Sequence, residues 1–542
     1  MDTRVSPVPV NPAMAAEFRR LGIDPDEPEG LFRRATAATI DTLGPLAPMV
    51  TVAREFLDTQ LNEYEKFVDR LFFPTNYDLP TPPVSAASRL FALPPDDAVD
   101  RVSCLPDTLL GNIVSRLPIK DAARTAALSR RWNGVWRSAP LVLADADLLP
   151  VTSTVSSVLA AHPGPFRCVH LTSSRMAEFP GLLTSWLQLL ADKGIQELVL
   201  VNHRYPLDFA LPATFLGMAT LTRLYLGLWR FPCTAGHPRS TCFPNLRELE
   251  LCNVLVESRD LDFILDRSPV LEALTVKGNL FKLRLRLVSQ SLMCVQFFSS
   301  FIEEIFVLDA PRLEQLVHSH VWAPDGNRTK IKIGHAPKLN WLGYLDPENH
   351  VLDVGNTIIK AGTRVSPSTI VPSVTFLAME VRFGVRNDAK MIPSFLRCFP
   401  NVDRLYIRCG KTDQSAGKLN LKFWHESGII ECIRSRINLL VFRDFHGGRS
   451  ELAFLKFFFE NALVLKEVVV MLAAGFTSME EVHSKVASLE SIKWASEASL
   501  VLMTWCSDPR GGCIRSFKRG SDFSVRDPLI TAEVTAGVVD AK

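Results

Sequence analysis

The sequence predicts an α/β chain: a small helical hairpin near residue 110, then a curved solenoid of short parallel strands, closed by one further αβ unit. Three observations predict it. Leu109, Leu110, Ile113, Val114 and Leu117 recur at helical spacing and stop at Pro118. A pattern of apolar-x-x-apolar-x-apolar returns ten times between Phe166 and Ile407. From Phe423 to Leu472 a helix-like run lies between two strand-like runs, around Val441 and Val469.

Composition narrows the class before any element is placed. The 542 residues are 47% hydrophobic and 22% charged, which suits a soluble chain of three or four domains at about 150 residues each. Sixty basic residues against 58 acidic ones leave no global bias toward nucleic acid or anionic membrane. No apolar run approaches the roughly 20 residues of a membrane helix. The start, MDTRVSPVPV, lacks an apolar signal core, so secretion is not expected. Eleven cysteines, an odd number without a Cys-x-x-Cys pair, fit thiols in a reducing compartment, cytosol or nucleus. The Asn327-Arg328-Thr329 sequon is then inert.

Residues 1–99 form an N-terminal extension. Within it Leu57, Leu61, Tyr64, Val68 and Leu71 make one amphipathic stripe over 51–73. Two heptads are too few for an autonomous coiled coil, so a helix packed on its neighbour is the expectation. Six prolines follow between Phe72 and Asp97 and read as a linker.

The hairpin occupies 100–146. Pro106 suits a first helical turn and Asp107 favours its positive end. A second helix carries Ala122, Ala123, Ala126 and Ala127, and Ser129 is a cap for a third with Arg131, Trp132 and Trp136. A unit of roughly 45 residues cannot bury so many aliphatics within itself. Their partner is another chain, or else the chain's own core.

Leu105-Pro106, the Leu117-Pro118-Ile119-Lys120-Asp121 turn, the Leu128-Ser129-Arg130-Arg131-Trp132 run and the spaced Trp136 occur in order. In this the segment resembles an F-box, the helical hairpin that binds a Skp-type adaptor in cullin-RING ubiquitin ligases. The resemblance implies a docking patch of Leu105, Pro106, Leu109, Leu110, Ile113, Leu117, Pro118 and Ile119. Leu128, Trp132 and Trp136 complete it.

From 150 to 420 the middle residues of the repeats, Leu198 to Leu405, are separated by 26, 25, 25, 21, 21, 26, 35 and 28 positions. Such periods with this signature read as leucine-rich repeats, each giving one strand that stacks on the next. At nearly 5 Å per strand, ten repeats give a curved sheet roughly 45 Å long. The 35-residue step holds Gly355, Gly362, Pro367 and Pro372 and predicts a loop. Residues flanking each middle leucine are expected on the concave side. They include Tyr225, Glu248, Glu250, Trp341, Arg404, Tyr406 and Arg408, the candidate face for a client. Early repeats lean acidic and the last lean basic, unlike the single sign of a nucleic-acid track.

The unit at 421–472 places Leu452, Leu455, Phe458 and Leu463 on its helix, and can close the last open edge of the solenoid. Phe423-Trp424, Cys432-Ile433, Phe442 to Gly448, Glu451, Phe454-Leu455 and Glu460-Asn461-Ala462 resemble the FBD domain that follows F-box and leucine-rich segments in plant proteins. In 473–542, Thr477-Ser478-Met479-Glu480 opens a predicted helix, and a tail follows.

Catalytic and metal motifs fare poorly. Gly410-Lys411-Thr412 lacks the glycine five positions earlier that a phosphate loop needs, where Leu405 stands. His318 and His320 share a strand face without a third ligand at suitable spacing. Asp145 and Asp147 could hold a cation, but read as a solvated turn. No cofactor, metal or catalytic site is expected. The family resemblance implies a non-catalytic substrate adaptor whose partners are a Skp-type adaptor, through it a cullin-RING ligase, and a protein client of unread identity. The alternative is a Skp-binding scaffold or ligand sensor outside a cullin complex.

Overall fold

Proline sets the start of the first elements. Helix α1 (Asp107–Val114) begins after Pro106 and α2 (Ile119–Thr125) after Pro118, each proline at the N-cap with extended backbone. Helix α3 (Arg130–Ser138) is capped by Ser129, whose Oγ accepts the Trp132 N–H at 3.3 Å, as its sequence predicts. Ser129→Ala is expected to lower stability by about 1 kcal/mol in urea unfolding.

The chain then alternates strand and helix. Strand β1 (Leu141–Ala144) leads to α4 (Val151–Ala161), β2 (Phe166–Leu171), α5 (Pro180–Asp192) and β3 (Glu197–Val201). Next come β4 (Arg223–Gly227), β5 (Glu248–Cys252), α6 (Ser258–Arg267) and β6 (Ala273–Lys277). A strand-rich stretch follows: β7 (Leu283–Val288), β8 (Cys294–Phe298), β9 (Ile302–Asp309), β10 (Gln315–Ser319), β11 (Thr329–His335), β12 (Trp341–Leu345), β13 (His350–Val354) and β14 (Thr357–Ile358). Helices return between β15 (Phe376–Val381), α7 (Arg386–Cys398), β16 (Arg404–Cys409), α8 (Leu421–Glu426), α9 (Glu431–Ser435) and β17 (Leu439–Phe445). Helix α10 (Arg449–Asn461), β18 (Glu467–Leu472), β19 (Ser499–Met503) and β20 (Val539–Asp540) complete the order.

This computed structural model describes residues 102–148, 151–174, 176, 179–202, 209–238, 241–319, 326–410, 421–473, 494–503 and 539–540. All but Gly326 and Asn327 lie in one compact unit, the one treated below. The predicted helix at 51–73, the proline-rich linker and the predicted helix from Thr477 lie outside the described residues.

One sheet of fifteen strands runs β1-β2-β3-β4-β5-β6-β8-β10-β12-β15-β16-β17-β18-β19-β20 among the described residues, parallel except at β19–β20. The ten predicted middle residues pair in one file: Val169, Leu198, Leu224, Leu249, Leu274, Val295, Leu316, Leu342, Leu377 and Leu405. Leu440 and Val468 extend it. All are buried, and each such aliphatic contributes about 1.5–3 kcal/mol.

A second sheet, ordered β14-β13-β11-β9-β7, is not foreseen by the repeat pattern. Its strands alternate: Leu283, Leu285 and Leu287 of β7 are buried while Arg284, Arg286 and Val288 are exposed. Its inner residues, with Ile305, Val307, Ile331, Ile333 and Leu352, join the same core as the leucine file. In the middle repeats this sheet packs where helices cover the earlier and later ones.

Three predicted placements need correction. The repeat pattern Leu339/Leu342/Tyr344 makes Tyr344 the inward third residue of its repeat, and it is not. A register shift between Leu342 and Leu345 brings Leu345 opposite Met379, and Tyr344 packs instead with Ala378, Tyr406, Leu439 and Val441. Gly343 permits this, because a Cβ there would fall 2.5 Å from that of Ala378. The 35-residue step is not all loop, since β13 and β14 turn back at Gly355, which has φ +57°. The 421–472 unit does add one αβ repeat, with Phe454, Leu455 and Phe458 buried, but β19 and β20 continue the sheet beyond it. Leu463 follows the helix end and is 52% exposed.

Burial pushes His170 and His350 strongly, and His162 in the same direction, toward the neutral form. Burial lowers the His350 pKa from 6.5 to about 3. Burial, helped by Arg223, lowers that of His170 to about 4. The unfolded chain takes up these protons as pH falls below 6.5 and the folded chain does not. The contribution of these two histidines is therefore complete above pH 6.5 and is lost as pH drops through 5. Between pH 7.5 and 5 the melting temperature of His350→Asn should lose less than that of the parent.

Candidate docking surface and sheet face

Helix α1 carries two neighbouring apolar stripes, because residues four apart share a side and adjacent residues differ by about 100°. Leu110 and Val114 turn inward and meet Ile119, Ala122, Trp132 and Val135 in the core. Leu109 and Ile113 turn outward, 51% and 38% exposed. Leu128, in the turn before α3, is 67% exposed, Val102 is 49% exposed, and Pro106 is exposed beside them in sequence. Leu105, Leu117, Pro118 and Trp136 are half-buried.

Leu110, Ile119 and Trp132, expected in the docking patch, thus hold the hairpin together instead. The open part of the predicted patch is Pro106, Leu109, Ile113 and Leu128, joined by Val102, which the sequence reading missed. Four exposed large apolar residues, Val102, Leu109, Ile113 and Leu128, fall within 27 positions, and the segment leading into α1 is held to α3. Arg131 donates to Asp107 Oδ1 at 2.8 Å and to the carbonyls of Ser103 and Leu105. Trp132 Nε1 donates to Ser103 Oγ at 3.1 Å. The approach to α1 is thereby fixed against α3.

The hairpin is seated on the first repeat. Helix α2 packs on β1. The Trp136 ring stands edge-on to His162 at 5.1 Å, and His162 to Phe166 at 5.2 Å. Burial lowers the His162 pKa, which favours the neutral ring in this aromatic joint. Arg167 Nη2 donates to the Ser115 carbonyl at 3.4 Å.

Asp145 is no solvated turn. Fully buried, it accepts N–H groups from Thr172, Ser173 and Ser174 at 2.8–3.1 Å and the hydroxyls of Thr172 and Ser174. Its lone pairs are spent on the loop after β2, which leaves none for a cation. Asp147 is half-buried.

The face predicted for a client is the side of the large sheet turned away from the leucine file. Tyr225, Glu250, Trp341 and Tyr406 are buried there, while Glu248, Arg404 and Arg408 are half-buried. Strands about 4.8 Å apart place like positions side by side, and charges that looked free in sequence meet partners one strand away. Lys277 Nζ lies 2.6 Å from Glu250, and Arg223 Nε 3.1 Å from Glu248. The Arg404 guanidinium lies 4.6 Å from the Phe376 ring centre, and that of Arg408 4.8 Å from Tyr344. Arg408 also approaches Glu380 at 3.8 Å and Asp444 at 3.7 Å. Burial nevertheless raises the Glu380 carboxyl above its ordinary range.

His318 lies in the core, its Nδ1 accepting from His350 Nε2 at 3.0 Å, while His350 Nδ1 accepts the Asp346 N–H. His320, Lys411 and Thr412 lie outside the described residues. Among the described residues one group of three potential metal ligands converges, Cys409, His446 and Glu451. The nine cysteines described are all free thiols, and no helix described is long and apolar enough to cross a membrane.

Three family profiles match in chain order. "F-box domain" matches residues 102–143, "FBD-associated F-box protein At5g56370, LRR repeats" 183–407, and "FBD" 425–470. The chain is similar to F-box/FBD/LRR-repeat protein At5g22660 of Arabidopsis thaliana, 26% identical over 428 residues, which cover 68% of this chain and 89% of the relative. F-box/LRR-repeat protein 13 of the same plant is 24% identical over 422 residues, 69% and 90% of the two chains. F-box/FBD/LRR-repeat protein At1g13570 is 25% identical over 396 residues, 69% and 91%.

Proposed function

We propose, on the premise that this chain is an F-box/FBD/leucine-rich-repeat protein, that it is the substrate-recognition adaptor of a Skp-cullin-F-box ubiquitin ligase. An F-box followed by leucine-rich repeats makes the chain a protein-interaction adaptor. The finer reading rests on one observation, the outward stripe of Leu109 and Ile113 with Val102, Pro106 and Leu128, left open on a hairpin pinned from behind. An apolar surface so braced suits a protein partner, because little ordering entropy is left to lose on binding.

In this reading the hairpin docks a Skp-type adaptor, and through it a cullin-RING ligase. The repeats hold the client, and the chain performs no chemistry itself. A separate enzyme transfers ubiquitin, and the chain's contribution is to hold client and enzyme in proximity. It acts in the cytosol or nucleus.

The test is affinity purification of the tagged full chain from plant cells. A Skp-type adaptor and a cullin should co-purify, and both should vanish on removal of residues 100–146. Adaptor without cullin would move the reading to a scaffold outside the ligase; neither would refute both.

A further inference from the structure

We propose that Cys409, His446 and Glu451 form a zinc site that ties the last of the ten predicted repeats to the αβ unit after it. Cys409 ends β16, His446 lies in the loop after β17, and Glu451 sits in the first turn of α10. No two of them are near in sequence except the last pair, so the convergence is made by the fold.

The geometry fits a metal of this class. Cys409 Sγ lies 3.1 Å from Glu451 Oε1, and His446 Nδ1 lies 3.6 Å from the same oxygen. All three ligand atoms lie within 4.8 Å of one another. Tetrahedral zinc, with bonds of about 2.0–2.3 Å, sets its ligands roughly 3.3–3.7 Å apart. The thiol and carboxylate, 3.1 Å apart, need to part by roughly 0.3 Å to admit the ion. The exposed His446 ring needs to move up to roughly 1.2 Å toward the thiol.

The carboxylate is oriented for the task. Glu451 Oε2 accepts the His446 N–H at 3.0 Å and the Gly448 N–H at 3.1 Å, which fixes the side chain and leaves Oε1 toward the thiol. The proton now lying between Sγ and Oε1 marks the place of the ion. On binding, Cys409 releases that proton to solvent, and Zn²⁺ bonds to Sγ, Oε1 and Nδ1. Thiolate and carboxylate neutralise the two charges of the metal. Water takes the fourth position on the exposed His446 side. A mixed sulfur, nitrogen and oxygen set favours zinc over calcium or magnesium.

The test uses the full chain, stripped with a chelator and titrated with Zn²⁺ alone. One zinc per chain should bind saturably and raise the melting temperature. Co²⁺ in its place should give a thiolate-to-metal charge-transfer band. Cys409→Ser should abolish that band, and both Cys409→Ser and His446→Asn should weaken zinc at least tenfold. The melting temperature of His446→Asn without metal should stay near that of the parent, because its ring is exposed. If Cys409→Ser does not fold, His446→Asn, altering an exposed ring, carries the test. Absence of saturable zinc, or equal zinc binding in His446→Asn, overturns the site.

Discussion

Asp145→Ala is expected to cost about 3–5 kcal/mol of folding stability, read as a lowered midpoint in urea at unchanged slope. The carboxylate is fully buried and receives three successive backbone N–H groups and two hydroxyls from residues 172–174. Alanine removes the carboxylate to which those amides donate and fills none of the space. Each buried donor left without an acceptor costs about 1–3 kcal/mol. The damage falls at the end of β1, the strand on which α2 rests, so hairpin and first repeat should loosen together. A loss under about 1 kcal/mol would mean that water reaches this loop and replaces the carboxylate.

Leu109→Asp with Ile113→Asp should weaken binding to a purified Skp-type adaptor by 100-fold or more, about 2.7 kcal/mol. Both side chains already meet solvent, so neither change touches the core and the melting temperature should hold. At the interface, however, each aspartate would carry an unpaired charge into an apolar contact. Leu110→Ala with Val114→Ala is the converse. It opens the hairpin's own core and should cost stability first, binding only through unfolding. Titration calorimetry and thermal melts on the four chains separate the two stripes.

How far the sequence carries depends on whether a feature repeats. The leucine file was legible because every strand announces itself with the same spacing, and one misread strand would have been outvoted by its neighbours. The second sheet hides between those announcements. Leu283, Leu285 and Leu287 do alternate with a period of two, as do Ile331 and Ile333, but a helix or coil was equally compatible with the gaps of a repeat. The shift at Tyr344 leaves one sign only, a glycine at 343, and a single glycine does not reveal which strand bulges.

Side-chain roles were less legible than strands. The apolar face of α1 reads as one surface in sequence. Only the positions of α2 and α3 decide that Leu110 and Val114 are closed while Leu109 and Ile113 stay open. Glu248, Glu250 and Arg408 looked like free recognition groups, since partners 25 to 36 residues away, such as Arg223, Lys277 and Asp444, cannot be assigned from spacing. Cys409 and Glu451 stand 42 residues apart for the same reason. Asp145 was misjudged because an aspartate in a short turn looks the same whether it faces water or a loop's amides.

The most direct measurement places a photo-crosslinking side chain at 109, at 128, and at the control position 358. All three are exposed apolar residues, but Ile358 lies on the second sheet. With the complex assembled from full chain and Skp-type adaptor, crosslinks should form from 109 and 128 and not from 358. A complex that assembles yet crosslinks from neither 109 nor 128 would show that the open stripe of the hairpin is not where the adaptor sits.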